Sequence, residues 1–469
     1  MKARLLRLSN DLRESYWFVP TIMAIAALLL ASGMVYVDSH AGSTWMDGMP
    51  WLYAARPDGA RALLSSIGGS MIGVAGTTFS VTIAAVVYAS GQYGPRLLSN
   101  FMSDRGNQVT LGTFIATFVY SLTVLRTIRS AGESGASAPA FVPQLALLVA
   151  LILVLCSIAV LIFFIHHVPM RIHINNVIER IGDRLIEEID SRFPTYIGEA
   201  PGERPDNPSV PSAFREDATS AEYERRTPVR SKNIGYIQLI DEGTLLAAAR
   251  EHDLVIRLQY QSGDFAHNGS VLLEAWPAER CGEDAVKALR EAFAVGARRT
   301  ALQDLRFLID ELVEIAARAL SPGVNDPFTA NSCLDWLGAA MAELARRDLP
   351  SHLRTDEDHA LRVIAYPVTF DGFIDRAFGA LAQYASADRI AGKRFLEALG
   401  DVALSCDDAG RIATLVDEAR AFRTLAEGKL DGACRDVVVG RADLLLRALA
   451  APDYKRRLRD DIGWLGGSA

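Results

Sequence analysis

Residue types that often carry chemistry are present in this sequence, but they do not stand at catalytic spacings. No phosphate-binding loop, Gly-x-Ser-x-Gly elbow or His-Glu-x-x-His motif occurs in the 469 residues. His166, His167 and His173 cluster, yet no Cys, Asp or Glu stands among them at the spacing of a zinc site. We therefore assign no catalytic residue, no metal and no cofactor, and we expect a protein that is not an enzyme.

A polar stretch near residue 310 is the most distinctive part of the charged C-terminal half. Arg306 precedes Asp310 by four residues, and Arg318 follows Glu314 by four, so a helix would place each pair on one face. Such pairs usually form a solvated ladder that contributes a few tenths of a kcal/mol each. We predict a helix over Leu302–Leu320 with this ladder on its surface.

A loop follows that helix and has the composition of a tight connection between two helices. Asp326 is placed to cap the next helix, and Pro327 suits its first position. Two interpretations are open: a structural joint, which we favour, or an anion site at the helix N-terminus. The candidate residues of this loop are Ser321, Pro322, Gly323, Asn325, Asp326 and Pro327.

A second candidate lies in an apolar run that contains many small residues. Ser65, Gly69, Gly73 and Thr77 recur every four residues, which lets two helix backbones approach closely. Three interpretations are open: packing against neighbouring spans, which we favour, contact between copies, or lining of a water path. The candidate residues of this run are Gly69, Gly73, Gly76, Thr77 and Ser80.

A polar turn ends this run and supplies the third candidate. Gly94 and Pro95 are expected to stop the helix, and Arg96 is expected at the lipid surface. The turn is either a membrane-edge turn, which we favour, or a hinge between the membrane and the soluble part. Its candidate residues are Gln92, Tyr93, Gly94, Pro95 and Arg96.

The distribution of apolar residues predicts four membrane spans. Mean hydropathy is +0.15 and half of the residues are hydrophobic, but the apolar ones concentrate before Ile165. The predicted spans are 16–37, 64–88, 109–128 and 142–165. Lys and Arg favour the inner flanks by nine to four if the N-terminus is inside, so we predict cytoplasmic termini in a bacterial inner membrane.

The remainder of the chain predicts a cytosolic, mainly helical α+β domain. Residues 1–193 form the membrane domain, which ends in an amphipathic helix over Arg171–Phe193 after a break at His166–Pro169. We favour packing of this helix on the cytosolic domain of its own chain over packing against other copies. A linker is predicted over 194–232, a small β-containing module over 233–277, and a helical domain over 278–469.

Several segments together resemble the bacterial family of predicted membrane proteins called domain of unknown function 2254. The resembling segments include Thr78–Val81, Ser90–Leu98, Gly235–Gln238, Gly263–Phe265, Gln303–Asp304 and Ala319–Ala330. The resemblance covers about Leu12 to Ala450. It implies four spans and a cytosolic domain in the bacterial inner membrane, and it supplies no activity or ligand.

Two functional hypotheses follow. The first is a homo-oligomeric, channel-like or transport-related protein that its cytosolic domain gates. The second is a membrane-anchored sensor or scaffold whose cytosolic domain binds a partner or a small ligand. A net charge of −8 argues against a nucleic-acid partner, so the expected partners are the lipid bilayer and further copies of the chain.

Overall fold

The computed structural model describes residues 15–41, 56–94, 104–130, 140–193 and 210–460. The described residues divide after Asn176 into an N-terminal unit, within 15–176, and a C-terminal unit, within 177–460. The division falls inside one helix, so a continuous helical backbone passes from one unit into the other.

Four long apolar helices build the N-terminal unit. Each is long and apolar enough to cross a membrane, and each overlaps one of the predicted spans. They are α1 (Phe18–Ala41), α2 (Pro57–Tyr93), α3 (Arg105–Leu125) and α4 (Gln144–Ile172). Helix α3 lies at the centre, because α1, α2 and α4 all pack against it.

Polar groups inside this unit are bonded to one another across helices. The Asp38 carboxylate on α1 accepts hydrogen bonds from the backbone N–H groups of Leu145 (3.1 Å) and Ala146 (2.9 Å) at the start of α4. Tyr120 Oη on α3 donates to the Ala146 carbonyl at 3.0 Å. An apolar solvent leaves such groups no other partner, so these bonds fix how α1, α3 and α4 meet.

The break that the sequence predicts at His166–Pro169 is wrong. Helix α4 continues through Pro169 to Ile172, and the interruption is the single residue His173, with φ −58° and ψ 126°. Proline removes one helical hydrogen bond but leaves the rest of the ladder intact. Asn176 Nδ2 donates to the Met170 carbonyl at 2.7 Å, which bonds the following helix back to the end of α4.

The following helix, α5 (Ile174–Arg192), is a core element of the C-terminal unit. Its apolar face, which includes Ile178, Leu185 and Ile189, is buried. Gly182 packs against the ring of Trp336, where an added Cβ would lie 2.7 Å from Cγ. The favoured interpretation, that this helix packs on its own domain, is confirmed.

Two sheets form the β part of the C-terminal unit. The first has the order β1-β5-β3-β8-β7, in which only β3 and β8 run parallel, and the second has the order β4-β2-β6. The strands are β1 (Thr227–Arg230), β2 (Gly235–Ile240), β3 (Val255–Leu258), β4 (Phe265–Ala266), β5 (Val271–Trp276), β6 (Phe293–Gly296), β7 (Leu353–Thr355) and β8 (Leu361–Ile364).

These sheets correct two predicted boundaries. The linker predicted over 194–232 does not extend to residue 232, because β1 within it pairs with β5 and a short helix, α6 (Ser220–Glu224), precedes it. The β module predicted over 233–277 also recruits β6, β7 and β8 from outside that range. Pairing between distant strands depends on neighbours that no local pattern reveals.

Helices complete the C-terminal unit, as expected for the helical domain predicted over 278–469. Strand β6 interrupts them, because Phe293–Gly296 pairs with β2 directly after a helix that ends at Glu291. The remaining helices are α7 (Glu242–Glu251), α8 (Glu283–Glu291), α9 (Leu305–Ala319), α10 (Pro327–Ala345), α11 (Phe370–Ile374), α12 (Ala380–Ala385), α13 (Arg389–Leu404), α14 (Ala409–Lys429), α15 (Gly432–Leu449) and α16 (Tyr454–Asp460).

The contact between α5 and α10 generates a stability prediction. Gly182→Ala should lower the free energy of unfolding by about 1–3 kcal/mol, because the new methyl group overlaps the Trp336 ring. Gly440→Ala is the matched control: it lies mid-helix in α15 with open space around it, and it should gain about 0.5–1 kcal/mol. Thermal unfolding of the detergent-solubilised full chain measures both, and equal shifts would contradict the contact.

Candidate functional site

A lateral groove runs between α2 and α4 of the N-terminal unit. Its volume is about 710 Å³. Gly69, Gly73 and Thr77 line it from α2, and Val168 and Pro169 line it from the end of α4. The small-residue stripe of α2 and Pro169 of α4 therefore line the same groove.

The small residues of this stripe face outward from their own bundle. No described residue lies within 4 Å of a Cβ placed on Gly69, Gly73 or Gly76. Gly68, one position away, faces inward and would bring its Cβ to 3.7 Å from Phe118 on α3. Gly68 therefore packs on α3, whereas Gly69, Gly73 and Gly76 have open space around them, and the three interpretations of the small-residue stripe stay predictions.

The hydroxyl groups on the same face bond to their own helix. Thr77 Oγ1 donates to the Gly73 carbonyl at 3.0 Å, and Ser80 Oγ donates to the Gly76 carbonyl at 2.9 Å. This back-bonding satisfies the hydroxyls in an apolar solvent. On α4, Pro169 lacks the N–H that would otherwise bond the Ile165 carbonyl, so that acceptor loses its helical donor beside the groove.

The polar turn after α2 is described only in part. Gln92 and Tyr93 are the last residues of α2, and Gly94 ends it with φ 122°, a conformation that favours glycine. Pro95 and Arg96 lie outside the described residues. The hinge interpretation of this turn stays a prediction.

A hydrogen-bonded histidine–aspartate pair lies close to the end of the same unit. His167 Nε2 on α4 donates to Asp104 Oδ2 at 2.7 Å, and both side chains are largely buried. Phe163 stacks on the imidazole with 4.7 Å between ring centroids, and a Cβ on Gly106 would approach Nε2 to 2.6 Å. The histidine cluster thus contributes one side chain to an interhelical pair, and within the described ranges no three potential ligands gather at a metal site.

The loop at 321–327 in the C-terminal unit has its polar groups bonded internally. Asp326 accepts from the Thr329 N–H (3.1 Å) and hydroxyl (2.6 Å), and its own N–H donates to the Ala319 carbonyl at 2.8 Å. The Thr329 hydroxyl bond, despite partial burial, holds the pKa of Asp326 below its usual range. Asn325 adopts φ 50°, and Ser321 Oγ donates to the Arg318 carbonyl. These contacts serve the favoured interpretation, a joint between two helices.

A buried carboxylate joins the β part to the helices. Asp304, 2% exposed, precedes α9 and lies under Gly263 of the β2–β4 connection. Arg299 Nη2 donates to it at 2.5 Å, and Arg306 Nε donates at 3.1 Å. Gly263 has φ 91°, and a Cβ there would overlap Asp304 Oδ2, so glycine is required on both counts.

The charge ladder predicted on α9 is corrected by this arrangement. Arg306 pairs with Asp304 and Asp264 rather than with Asp310. Asp310 instead receives Arg299 Nη1 at 2.5 Å and Arg376 Nε at 2.6 Å. Burial raises the pKa of Asp310, but the hydrogen bonds and charges of Arg376 and Arg299 outweigh it and hold that pKa below its usual range. The second predicted pair, Arg318 with Glu314, forms at 3.3 Å.

Two glutamine side chains add hydrogen bonds to the junction between the β part and the helices that Asp304 forms. Gln303 pairs with the backbone of Ile240 as a strand would, donating to its carbonyl at 3.0 Å and accepting from its N–H at 2.8 Å. Gln238 Nε2 donates to the Arg298 carbonyl at 2.7 Å. Three segments that carried the family resemblance, around Gly235, Gly263 and Gln303, therefore meet at one place, which their separation in sequence does not reveal.

A wide helical turn supplies Arg376 to the junction. Residues Asp375–Gly379 form a π-helical turn between α11 and α12. A Cβ on Gly379 would lie 2.6 Å from Asp375 Oδ1 and 3.5 Å from Glu418 Oε2, so the two carboxylates are neighbours. Burial, reinforced by the negative charge of Asp375, raises the pKa of Glu418 to about 7.

Four helices able to cross a membrane, joined to a mixed α/β unit, define the class of predicted multi-span membrane proteins. Within that class the chain belongs to the predicted membrane protein family designated domain of unknown function 2254, whose profile matches residues 13–401. Uncharacterised proteins of Mycobacterium bovis and Mycobacterium tuberculosis are each 30% identical to it over 441 residues, covering 92% of this chain and 80% of theirs. No solved structure matches the chain significantly.

The contact between Gly263 and Asp304 can be separated from backbone strain. Gly263→Ala and Gly269→Ala both place alanine at a positive φ, 91° and 88°, at a cost of about 1–3 kcal/mol each. Open space surrounds Gly269, so only Gly263→Ala also displaces Asp304. Gly263→Ala should therefore lower the free energy of unfolding by a further ~1–3 kcal/mol. Chemical denaturation compares the two, and equal losses would show that the Asp304 contact contributes nothing.

The Glu418 carboxyl predicts a pH dependence of stability. Its pKa is about 7 in the folded chain against 4.5 ordinarily, so folding binds a proton between these values and stability falls as pH rises from about 4.5 to 7. Glu418→Gln should therefore unfold at a higher temperature than the native chain at pH 8, with little difference at pH 4. Asp417→Asn, at the exposed neighbouring position, should leave the shape of the pH profile unchanged.

Proposed function

We propose that the chain assembles with copies of itself through the groove between α2 and α4, and that the assembled spans form a channel-like or transport-related path. The observation that carries the proposal is the outward face of α2, where Gly69, Gly73 and Gly76 meet no described residue within 4 Å. Association in a bilayer depends on close packing rather than on the hydrophobic effect, so helices pack best where side chains are smallest.

The groove between the two helices favours a second helix as its occupant. It places the glycine face of α2 beside Val168 and Pro169 of α4, so an incoming helix would contact two spans at once. The Ile165 carbonyl, deprived of its helical donor by Pro169, adds an acceptor for a hydroxyl on that helix. Interhelical bonds of this kind contribute about 0.6 kcal/mol on average.

The proposed location is the bacterial inner membrane with both termini in the cytoplasm. Its support is the excess of Lys and Arg in the flanks that would then face inward, nine against four. In this orientation the C-terminal unit is cytosolic. The orientation is supported by the uneven distribution of Lys and Arg and not by a contact in the structure.

The C-terminal unit is proposed to control the path through helix α5. One residue, His173, separates α5 from α4, the last of the candidate spans, and the apolar face of α5 is buried within the C-terminal unit. A change in that packing, such as at the Gly182–Trp336 contact, would act on α4 through the backbone. The groove that α4 helps to form would then change with it.

A sensor or scaffold is the second candidate function, and the same buried helix favours it. A partner or small ligand on the C-terminal unit could be detected at the membrane without any flux. The two candidates differ in whether reconstituted vesicles containing the protein conduct ions, so one preparation decides between them.

The assembly prediction is tested by filling the groove. Gly73→Leu should abolish association of labelled chains in liposomes, because a leucine would hold two backbones apart where open space now exists. Gly33→Leu is the matched control, since Gly33 is an exposed glycine on α1 that also has open space around it. Energy transfer between donor- and acceptor-labelled chains measures association, and ion flux is recorded in parallel.

Each result has a defined meaning. Loss of both association and flux in Gly73→Leu, with Gly33→Leu unchanged, would support a channel-like assembly. If Gly73→Leu loses association but the native chain conducts no ions at any voltage or tension, the channel-like function is excluded and the sensor or scaffold remains. Undiminished association in Gly73→Leu would overturn the groove as the contact between copies.

A further inference from the structure

Polar side chains from all four apolar helices meet at one end of the N-terminal unit. Asp104, at the start of α3, accepts the hydrogen bond from His167 near the end of α4. Tyr16, two residues before α1, has its hydroxyl beside that of Thr82 on α2, and the charge of Asp104 acts on the same hydroxyl. Thr82 is 3% exposed, and the side chains of His167 and Asp104 are 15% and 8% exposed. The four groups therefore lie inside the bundle and close to one another.

Asn107 adds a side-chain carbonyl to this group. Asp104 is the N-cap of α3 and Asn107 is its third helical residue, and side chains at these two positions lie next to each other. Leu111, one turn further along the same face of α3, packs in the same apolar cluster as Tyr16. Asn107 is itself only 3% exposed. We call the side-chain oxygens of Tyr16, Thr82, Asp104 and Asn107 the oxygen cluster.

Two members of the oxygen cluster are buried without a partner. Asn107 Oδ1 and Tyr16 Oη have no hydrogen bond from any residue that the structure describes. Thr82 Oγ1 donates its proton to the Thr78 carbonyl at 2.8 Å, so only its lone pairs remain for the cluster. Unpartnered oxygens are costly where water is scarce, and a bundle in an apolar solvent normally avoids them. Lone pairs that converge in this way favour a positively charged ligand.

We propose that the oxygen cluster binds one alkali cation, sodium or potassium. Hard cations take oxygen ligands, and a carboxylate offers about four lone-pair sites, so Asp104 can hold His167 and a cation together. The cluster contains a single carboxylate, which neutralises a monovalent ion but leaves a divalent ion charged in an apolar interior. Ionisable groups inside membrane spans commonly mark ion sites, which the Asp104–His167 pair fits.

The ligand set distinguishes this site from a transition-metal centre. In the part of the chain that the structure describes, no group of three His, Cys, Asp or Glu side chains could hold a metal ion. Neutral oxygens with one carboxylate are poor ligands for transition metals, many of which are bound through imidazole or thiolate. The site lies within one chain, so it goes beyond the proposed assembly of copies and does not depend on it.

Binding of radioactive sodium and rubidium to the detergent-solubilised full chain tests the proposal, with rubidium standing in for potassium. Choline chloride keeps the ionic strength constant. We expect saturable binding of a single ion by each chain. The melting temperature should rise as choline is replaced by the bound ion, because the ligand binds only the folded chain. The expected rise is roughly 5–10 °C when the ion is at about 100 times its dissociation constant.

Asn107→Leu removes the carbonyl and keeps the size of the side chain, so it should weaken ion binding by roughly tenfold or more. Tyr16→Phe removes the other unpartnered oxygen and should act in the same direction. Ser121→Ala is the matched control: Ser121 Oγ is also buried without a partner among the described residues, but it lies about 21 Å further along α3. In choline all three variants should melt no lower than the native chain, because each removes an unpartnered polar atom.

Three results would overturn the proposal. If neither ion binds saturably, water is the partner of the two oxygens. If Asn107→Leu binds the ion as tightly as the native chain, or if Ser121→Ala loses binding equally, the oxygen cluster is not the site. Gly73→Leu chains that no longer associate should still bind the ion, so failure of the assembly leaves this site standing. Native chains that associate but bind no ion would leave the assembly standing instead.

Discussion

Covalent continuity between a membrane-type helix and a buried helix constrains this protein more than any other feature. Helix α4 reaches Ile172, a single non-helical residue follows, and α5 then enters the C-terminal unit as part of its core. A core helix cannot move without repacking its neighbours, because protein interiors are close-packed. A change in the packing of α5 therefore reaches α4 through a continuous backbone.

A second constraint acts inside the N-terminal unit, where polar groups must find partners within the protein. Asp38 caps α4 from α1, Tyr120 bonds the same segment from α3, and His167 pairs with Asp104. The outward face of α2 behaves differently, since its hydroxyls bond only to their own helix. The polar bonds thus consolidate one bundle, while the glycine face is left available for contacts beyond it.

The C-terminal unit depends on buried charge that is shared among several partners. Arg299 connects Asp304 with Asp310, and Arg376 reaches Asp310 from a π-helical turn. Removing one member of such a network leaves its partner charged and desolvated, which usually costs more than the pair itself contributes. The network therefore holds the β part and helices α9 and α11 in one arrangement.

Local chemistry was sufficient to predict the four long apolar helices, the helical character of the C-terminal unit and the Asp326 cap, because hydropathy, periodicity and capping act over a few residues. The family resemblance likewise rested on short motifs. The side of α2 that packs inward could not be predicted, because Gly68 and Gly69 are chemically identical and differ only in their neighbours. Strand β1 and the partners of Arg306 were also beyond the local pattern, since both depend on segments distant in the chain. Only the tertiary structure determines these features, because it brings together strands and charged side chains that are far apart in the sequence.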